Sequence, residues 1–256
     1  MPTEYETDRI LDRLIEILQA EGWNSYFLPH SGGKPELFRA LCNLRPPAPV
    51  SEEFLRLQDR YLSDLTQKRG IMDVNSLEYQ DGIALWQGDI ARLNAEAIVN
   101  ACNAALLGCF QPLHNCIDNV IHSFAGVQVR LDCDKMMKGR LEKNGGVRVT
   151  SAYNLPSRYI FHTVGPIVRG NVTPENRRDL QSCYRSCLAK AEEMGLTSIA
   201  FCCISTGVFG YPQEDAAALA LDTVREWLAE VPRKVRVIFD VFLDSDREIY
   251  QKLILA

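Results

Sequence analysis

The chain has no run of about 18 consecutive apolar residues, so no segment is expected to cross a membrane as a helix. It has no surplus of positive charge either. Lysine and arginine number 28 against 33 aspartates and glutamates, a formal net charge of −5, which argues against a partner held through charge alone, such as nucleic acid or an anionic membrane. The first residues, MPTEYETDRILDRL, lack the basic start and apolar centre of a secretory signal, so a cytoplasmic location is expected. The nine cysteines lack the even number and regular spacing of a disulfide framework, and Cys42, Cys102, Cys133, Cys183, Cys187, Cys202 and Cys203 are expected to be reduced and buried. Internal repeats, low-complexity tracts, a Gly-Lys-Ser/Thr phosphate loop and a GxGxxG fingerprint are all missing.

What is present is an ordinary globular composition, 46% hydrophobic and 24% charged over 256 residues, enough for one large domain or a medium one with an extension. The apolar spacing of Ile10, Leu11, Leu14, Ile17 and Leu18 predicts a helix over 7–21. A second is expected from Pro35 through Leu41, and a third from an N-cap at Ser51 to Arg69-Gly70. From about residue 71 short β-branched runs predict strands over 83–86, 97–100, 147–151, 159–163, 198–204 and 235–239. Helices are expected between them over 116–137, with a break near Gly126, and over 174–194, 213–230 and 245–255. The chain thus divides into a helical extension, 1–70, and a layered α/β domain, 71–256. In such sheets ligands gather beyond the strand C-termini, which points to the loops after Asn100 and Ile204.

The run from Asn100 to His122, NACNAALLGCFQPLHNCIDNVIH, contains Cys109, His114 and Cys116 in a Cys-x4-His-x-Cys group. Thiolate and imidazole select Zn²⁺ over Mg²⁺ or Ca²⁺, and three protein ligands with one open position is the catalytic arrangement. A structural zinc site would need a fourth ligand, with Asp118, His122 and Cys102 nearest in sequence. The segment Ile204-Ser205-Thr206-Gly207-Val208-Phe209-Gly210-Tyr211-Pro212 joins a buried strand to a helix. Its glycines and hydroxyls suit either an anion cradle ahead of a helix N-terminus or a plain turn. His162 reads as a core histidine, His122 as a packing or supporting group, and His30 has no identifiable partner.

Gln87-Gly88-Asp89-Ile90, Asn100-Ala101-Cys102-Asn103 and Ser205 to Pro212, each after a strand and in this order, resemble the macrodomain family of ADP-ribose-binding proteins. The likeness continues through Asn154-Leu155-Pro156 and Tyr159 to Pro166, covering roughly Leu77 onward. It implies a three-layer α/β/α fold with a central mixed sheet. Where common catalytic macrodomains run through glycines into Val-Asp-Gly-Ala-Ile-His, this chain has Gly108 to Asp118 with its cysteines and histidine. That variant resembles the zinc-containing class, whose members carry an N-terminal helical extension and remove ADP-ribose from modified proteins. The resemblance implies that Asp89 accepts from the adenine amino group, assisted by the Ile90 amide; that Asn103 holds the proximal ribose while Asn100 supports the loop; and that Ser205, Thr206, Gly207, Val208, Phe209 and Gly210 wrap the diphosphate. It further implies zinc on Cys109, His114 and Cys116, with Asp118 and Asn103 catalytic. The expected activity is zinc-dependent hydrolysis of the bond from ribose C1 to a side chain, on a mono-ADP-ribosylated protein that resemblance alone suggests is lipoyl-carrier-like, with ADP-ribose as product. A reader that binds ADP-ribose without cleaving it and an O-acetyl-ADP-ribose deacetylase remain alternatives; a nucleic-acid module fits the charge least.

Overall fold

The computed structural model describes residues 3–23, 32–231 and 235–255; His30 lies outside them. Helix α1, Glu4–Ala20, starts earlier than its apolar stripe because Thr3 and Glu6 form a reciprocal capping box, satisfying two backbone donors that a helix start leaves bare. Helix α2 spans Lys34–Leu44. In α3, Glu52–Arg69, the cap is Ser51, whose hydroxyl accepts from the Phe54 amide. Leu14, Leu18, Phe38, Leu41, Phe54 and Leu62 from the three helices bury one another in a cluster that also takes in Val127.

The strands are β1 (Ile83–Gln87), β2 (Ala97–Ala101), β3 (Val147–Ser151), β4 (Tyr159–Thr163), β5 (Ser198–Phe201) and β6 (Arg236–Val241). They form one mixed sheet in the order β1-β6-β5-β2-β4-β3. All neighbours are parallel except β3, which runs antiparallel to β4 at the edge. Strands β2, β5 and β6 are buried along almost their whole length, whereas β3 is exposed at Arg148 and Ser151. That departs from the expectation of strands buried on both faces, because β3 lies at the sheet edge with a neighbouring strand on one side alone.

Helices α4 (Ile117–Ala125), α5 (Val127–Met137), α6 (Pro174–Glu193), α7 (Gln213–Glu230) and α8 (Asp244–Leu255) flank the sheet. The break between α4 and α5 comes where expected, and packing explains it. Gly126 adopts φ +103°, and a Cβ there would lie 2.7 Å from both Gln58 Nε2 and Gln128 Oε1, so the extension reaches into the kink. Gln58 Oε1 also accepts from the Val127 amide at 3.0 Å. Among the described residues no helix is long and apolar enough to cross a membrane. The parallel strands all end at one edge, and the loops of interest leave from there.

Candidate functional site

Along that edge the strand order puts the loop after β1 at one end, those after β6 and β5 next, and that after β2 beyond them. Three strand spacings separate β1 from β2, roughly 14 Å. The edge therefore suits an elongated ligand laid across the strand ends.

In the first corner Asp89 caps a short 3-10 turn, Ile90–Arg92, with Oδ1 accepting from the Ala91 amide at 2.9 Å. Its Oδ2 is ion-paired with Arg69, the last residue of α3. Gly88 is needed because a Cβ would fall 2.3 Å from the Trp86 ring. The Ile90 side chain is core, so only its backbone can face a ligand. Behind this corner Asp240 on β6 is buried, with Oδ1 unpartnered among the described residues; burial, reinforced by the charge of Asp89, holds its carboxyl well above the usual range.

The loop after β5 is closed largely by its own backbone. Tyr211 N donates to Ser205 O at 3.0 Å, Gly210 N to Gly207 O at 2.9 Å, and Thr206 Oγ1 to Cys203 O at 3.1 Å. Ser205 takes φ +68° and Gly210 φ +71°, and the Ser205 hydroxyl is buried without a partner among the described residues. The Val208 side chain is 82% exposed, so what the loop offers here is backbone. Loop 164–173 buttresses it: Val168 N donates to Phe209 O at 2.8 Å, and Gly165 sits where a Cβ would be 2.1 Å from Ser205 Oγ. Helix α7 begins just beyond, so its N-terminal field favours an anion here.

The loop after β2 brings the three soft ligands together. The donor atoms of Cys109, His114 and Cys116 all lie within 4.8 Å of one another, and Cys109 Sγ is 3.6 Å from His114 Nδ1. Sulfur and imidazole nitrogen on one tetrahedral zinc stand about 3.6 Å apart, so the donor set and its spacing fit zinc. Burial pushes the Cys116 thiol up to about 11, although the Asn119 amide favours the thiolate; a cation would reverse that balance. Asp118, His122 and Cys102 do not join the group, and Cys102 Sγ instead contacts Thr163 O in the core.

Beside the ligands, Asp118 is 5% exposed. Asn100 Nδ2 donates to its Oδ1 at 2.8 Å and Asn103 Nδ2 approaches its Oδ2 at 3.3 Å. Burial lifts the Asp118 carboxyl to about 6, against the Asn100 hydrogen bond and the Arg130 charge. His122 Nε2 is 3.5 Å from Asp118 Oδ1, yet burial holds His122 well below its ordinary pKa, so the contact is not an ion pair. His162 is a core histidine, pushed down to about 3 by burial, with Thr150 Oγ1 at 2.9 Å and Asn100 Nδ2 at 3.2 Å. Asn103 also donates to Gly108 O at 3.1 Å and accepts from Ala105 N at 3.0 Å, so it holds the loop as well as facing Asp118.

Four supporting residues carry no motif that would have revealed them. Arg39 Nη2 donates to His114 O and to Asn119 Oδ1, each at 2.9 Å. Asn43 Oδ1 accepts from Leu113 N at 3.0 Å. Arg130 donates through Nε to Leu107 O at 2.6 Å and lies over the Phe110 ring at 4.4 Å. Arg69 pairs with Asp89. Three of the four belong to the helices before residue 70, so the extension borders the site.

Comparison with known proteins identifies the family. Residues 99–220 match the family model described as Macro domain. A protein-ADP-ribose hydrolase of Staphylococcus aureus (strain MRSA252) is 49% identical over 222 residues, covering 85% of this chain and 83% of that protein. One from Treponema medium is 44% identical over 250 residues, covering 94% and 96%. A Trypanosoma brucei macrodomain solved in complex with ADP-ribose superposes with a TM-score of 0.65 at 30% identity, covering 81% of this chain and 92% of that one.

Proposed function

This chain belongs to the Macro domain family, and from that premise we propose that it removes mono-ADP-ribose from modified proteins by hydrolysing the bond between ribose C1 and a side chain. The reading takes the chain as a helical extension, 1–70, and a macrodomain, 71–256, as drawn above. The observation that carries it is the pairing, within one loop and the helix turn after it, of a Cys-His-Cys group with a buried carboxylate held between Asn100 and Asn103. Similarity to two proteins named protein-ADP-ribose hydrolase supports it.

In this reading Asp89 receives the adenine amino group, the backbone of Ser205 to Gly210 surrounds the diphosphate, and Phe209 lies along the proximal ribose. Cys109, His114 and Cys116 would hold zinc, which when bound supplies Lewis acidity at the sugar or a water of lowered pKa. Asp118, ionised, orients the attacking water and takes its proton. The water oxygen bonds to C1 as the bond from C1 to the side chain breaks, the leaving atom keeping the electron pair. Positive charge develops on the sugar ring, as in glycosidases, and the low-dielectric setting strengthens its attraction to the carboxylate. The modified protein, lipoyl-carrier-like on resemblance alone, stays part of the proposal.

The test is release of ADP-ribose from a mono-ADP-ribosylated protein, followed by mass spectrometry, for the native chain and for Asp118→Asn and Cys116→Ala. Loss of about 10²–10⁴-fold in rate is expected for Asp118→Asn. Full activity in Cys116→Ala with metal analysis showing the ion gone would remove zinc from the mechanism. Binding of free ADP-ribose with no turnover of any modified protein would make the chain a reader.

A further inference from the structure

The edge that carries the site does not stop at β2. Beyond it stand the loop after β4, residues 164–173, and the loop before β3, residues 138–146; β3 runs antiparallel, so its first residue, Val147, lies opposite Thr163 at the end of β4. Both loops are tied to the site. Glu142 N donates to Ala104 O at 2.8 Å, one residue past Asn103, and Gly145 N donates to Val164 O at 2.9 Å. With the ribose at the β2 loop, a protein attached through C1 leaves the cleft over these two loops, within two strand spacings, roughly 10 Å.

The charge there runs against that of the chain. From Lys138 to Arg148 there are four cations and one carboxylate, where the chain as a whole carries −5. Arg148 is paired with that carboxylate, Glu142, and Asp179 of the neighbouring α6 accepts from Asn144 Nδ2 at 2.9 Å. Lys138, Arg140 and Lys143 are exposed and form no salt bridge among the described residues, and the same holds for Arg169 on the 164–173 loop. The carbonyl end of α5 attracts cations, and Arg140 Nε donates to Met137 O at 3.2 Å. That accounts for Lys138 and in part for Arg140, but not for Lys143 or Arg169. Among these charges Leu141 is 73% exposed and Ile167 52%. Apolar side chains rimmed by charge of one sign suit a protein partner of the opposite sign; a single-stranded nucleic acid would look for aromatic rings on which to stack its bases.

We propose that loops 138–146 and 164–173 are the docking surface for the ADP-ribosylated protein, and that they select a modified residue set in an acidic surface with an apolar side chain beside it. This rests on the ADP-ribose reading above and adds to it the chemistry of the partner. Carboxylates of the partner meet Lys138, Arg140, Lys143 and Arg169, while Leu141 and Ile167 bury apolar area against it. Charges at such a rim speed association and choose among partners.

The probes are short peptides that carry one ADP-ribose through a triazole link resistant to hydrolysis, one peptide rich in Asp, Glu and Leu and one rich in Ser and Gln, with an oligonucleotide bearing the same group as a third. Binding to the full chain and to the double variant Arg140→Glu, Lys143→Glu is followed by fluorescence anisotropy. The native chain is expected to bind the acidic peptide about tenfold more tightly than the neutral one at low salt, and the advantage should shrink as salt rises to about 0.5 M. The double variant should lose the advantage yet bind free ADP-ribose within about twofold of the native chain. Equal affinity of the native chain for the two peptides, or a preference that salt leaves untouched, overturns the proposal whether or not the variant folds. So does a preference that persists undiminished in the double variant. Tighter binding of the oligonucleotide than of the acidic peptide overturns it as well, and makes the patch a nucleic-acid surface. Failure of the native chain to bind free ADP-ribose would instead sink the functional reading itself.

Discussion

The loop after β2 and the loop after β5 leave neighbouring strands at the same edge, but they are held in different ways. The β5 loop closes on itself through backbone bonds between Ser205 and Tyr211 and between Gly207 and Gly210, with a glycine of loop 164–173 packed against Ser205. The β2 loop is held largely by long side chains from elsewhere, above all Arg39, Asn43 and Arg130. A loop that presents backbone amides can be shaped by its own turns. One that presents two sulfurs and an imidazole must fix side-chain directions, which takes an outer layer of hydrogen bonds.

The sharpest way to break this contrast is Arg39→Ala. It removes the donor to His114 O and Asn119, and on the zinc reading metal affinity should fall about 10–100-fold. Binding of free ADP-ribose should change little. Metal content after dialysis, measured beside ADP-ribose affinity, decides it; equal losses in both would mean the two loops are not separately supported. The mirror experiment is Gly165→Ala, where the new Cβ would meet Ser205 Oγ at 2.1 Å and Ile204 Cγ2 at 2.8 Å. We expect ADP-ribose binding to weaken about tenfold and stability to drop by about 1–3 kcal/mol, with metal content unchanged.

The smallest effect concerns Asp240, whose backbone carbonyl the Cys203 thiol of the β5 loop approaches at 4.0 Å. Its pKa is raised in the folded chain by burial, so the folded state holds the proton more tightly than the unfolded one. Stability is therefore retained below the unfolded carboxylate pKa and falls as pH rises toward the folded value. Asp240→Asn should remove that fall and gain on the order of 1 kcal/mol at pH 8, little at pH 4. Denaturant midpoints at the two pH values measure it, and a parallel pH dependence in the variant would refute the assignment.

The elements themselves were legible, because their signals are local. Ser51 caps α3 as its residue type predicts, and 147–151, 159–163 and 213–230 fold over the expected spans. Strand β5 stops at Phe201, short of the expected Ile204, because the apolar run continues into the site loop instead of the sheet. The site was legible in part. Cys109, His114 and Cys116 converge as their spacing suggests, and Asn100, Asn103 and Asp118 meet as one group. Asp89 caps the turn after β1 and pairs with Arg69, a partner its sequence neighbourhood does not announce. Nothing in the spacing of Arg39, Asn43 or Arg69 marks them, since each is a common residue on a helix whose period requires only its apolar face.

By itself the sequence determined which segments form helices and strands, which residue types could bind metal or anion, and the order of the loops along the chain, because capping, periodicity and ligand chemistry act over a few residues. The tertiary structure decided that the extension borders the site, that Gly126 is required by Gln58, and that Asp118 is buried enough to titrate near 6. Those facts depend on contacts between residues far apart in the chain, and burial and hydrogen-bond direction exist only once the helices and the sheet have packed.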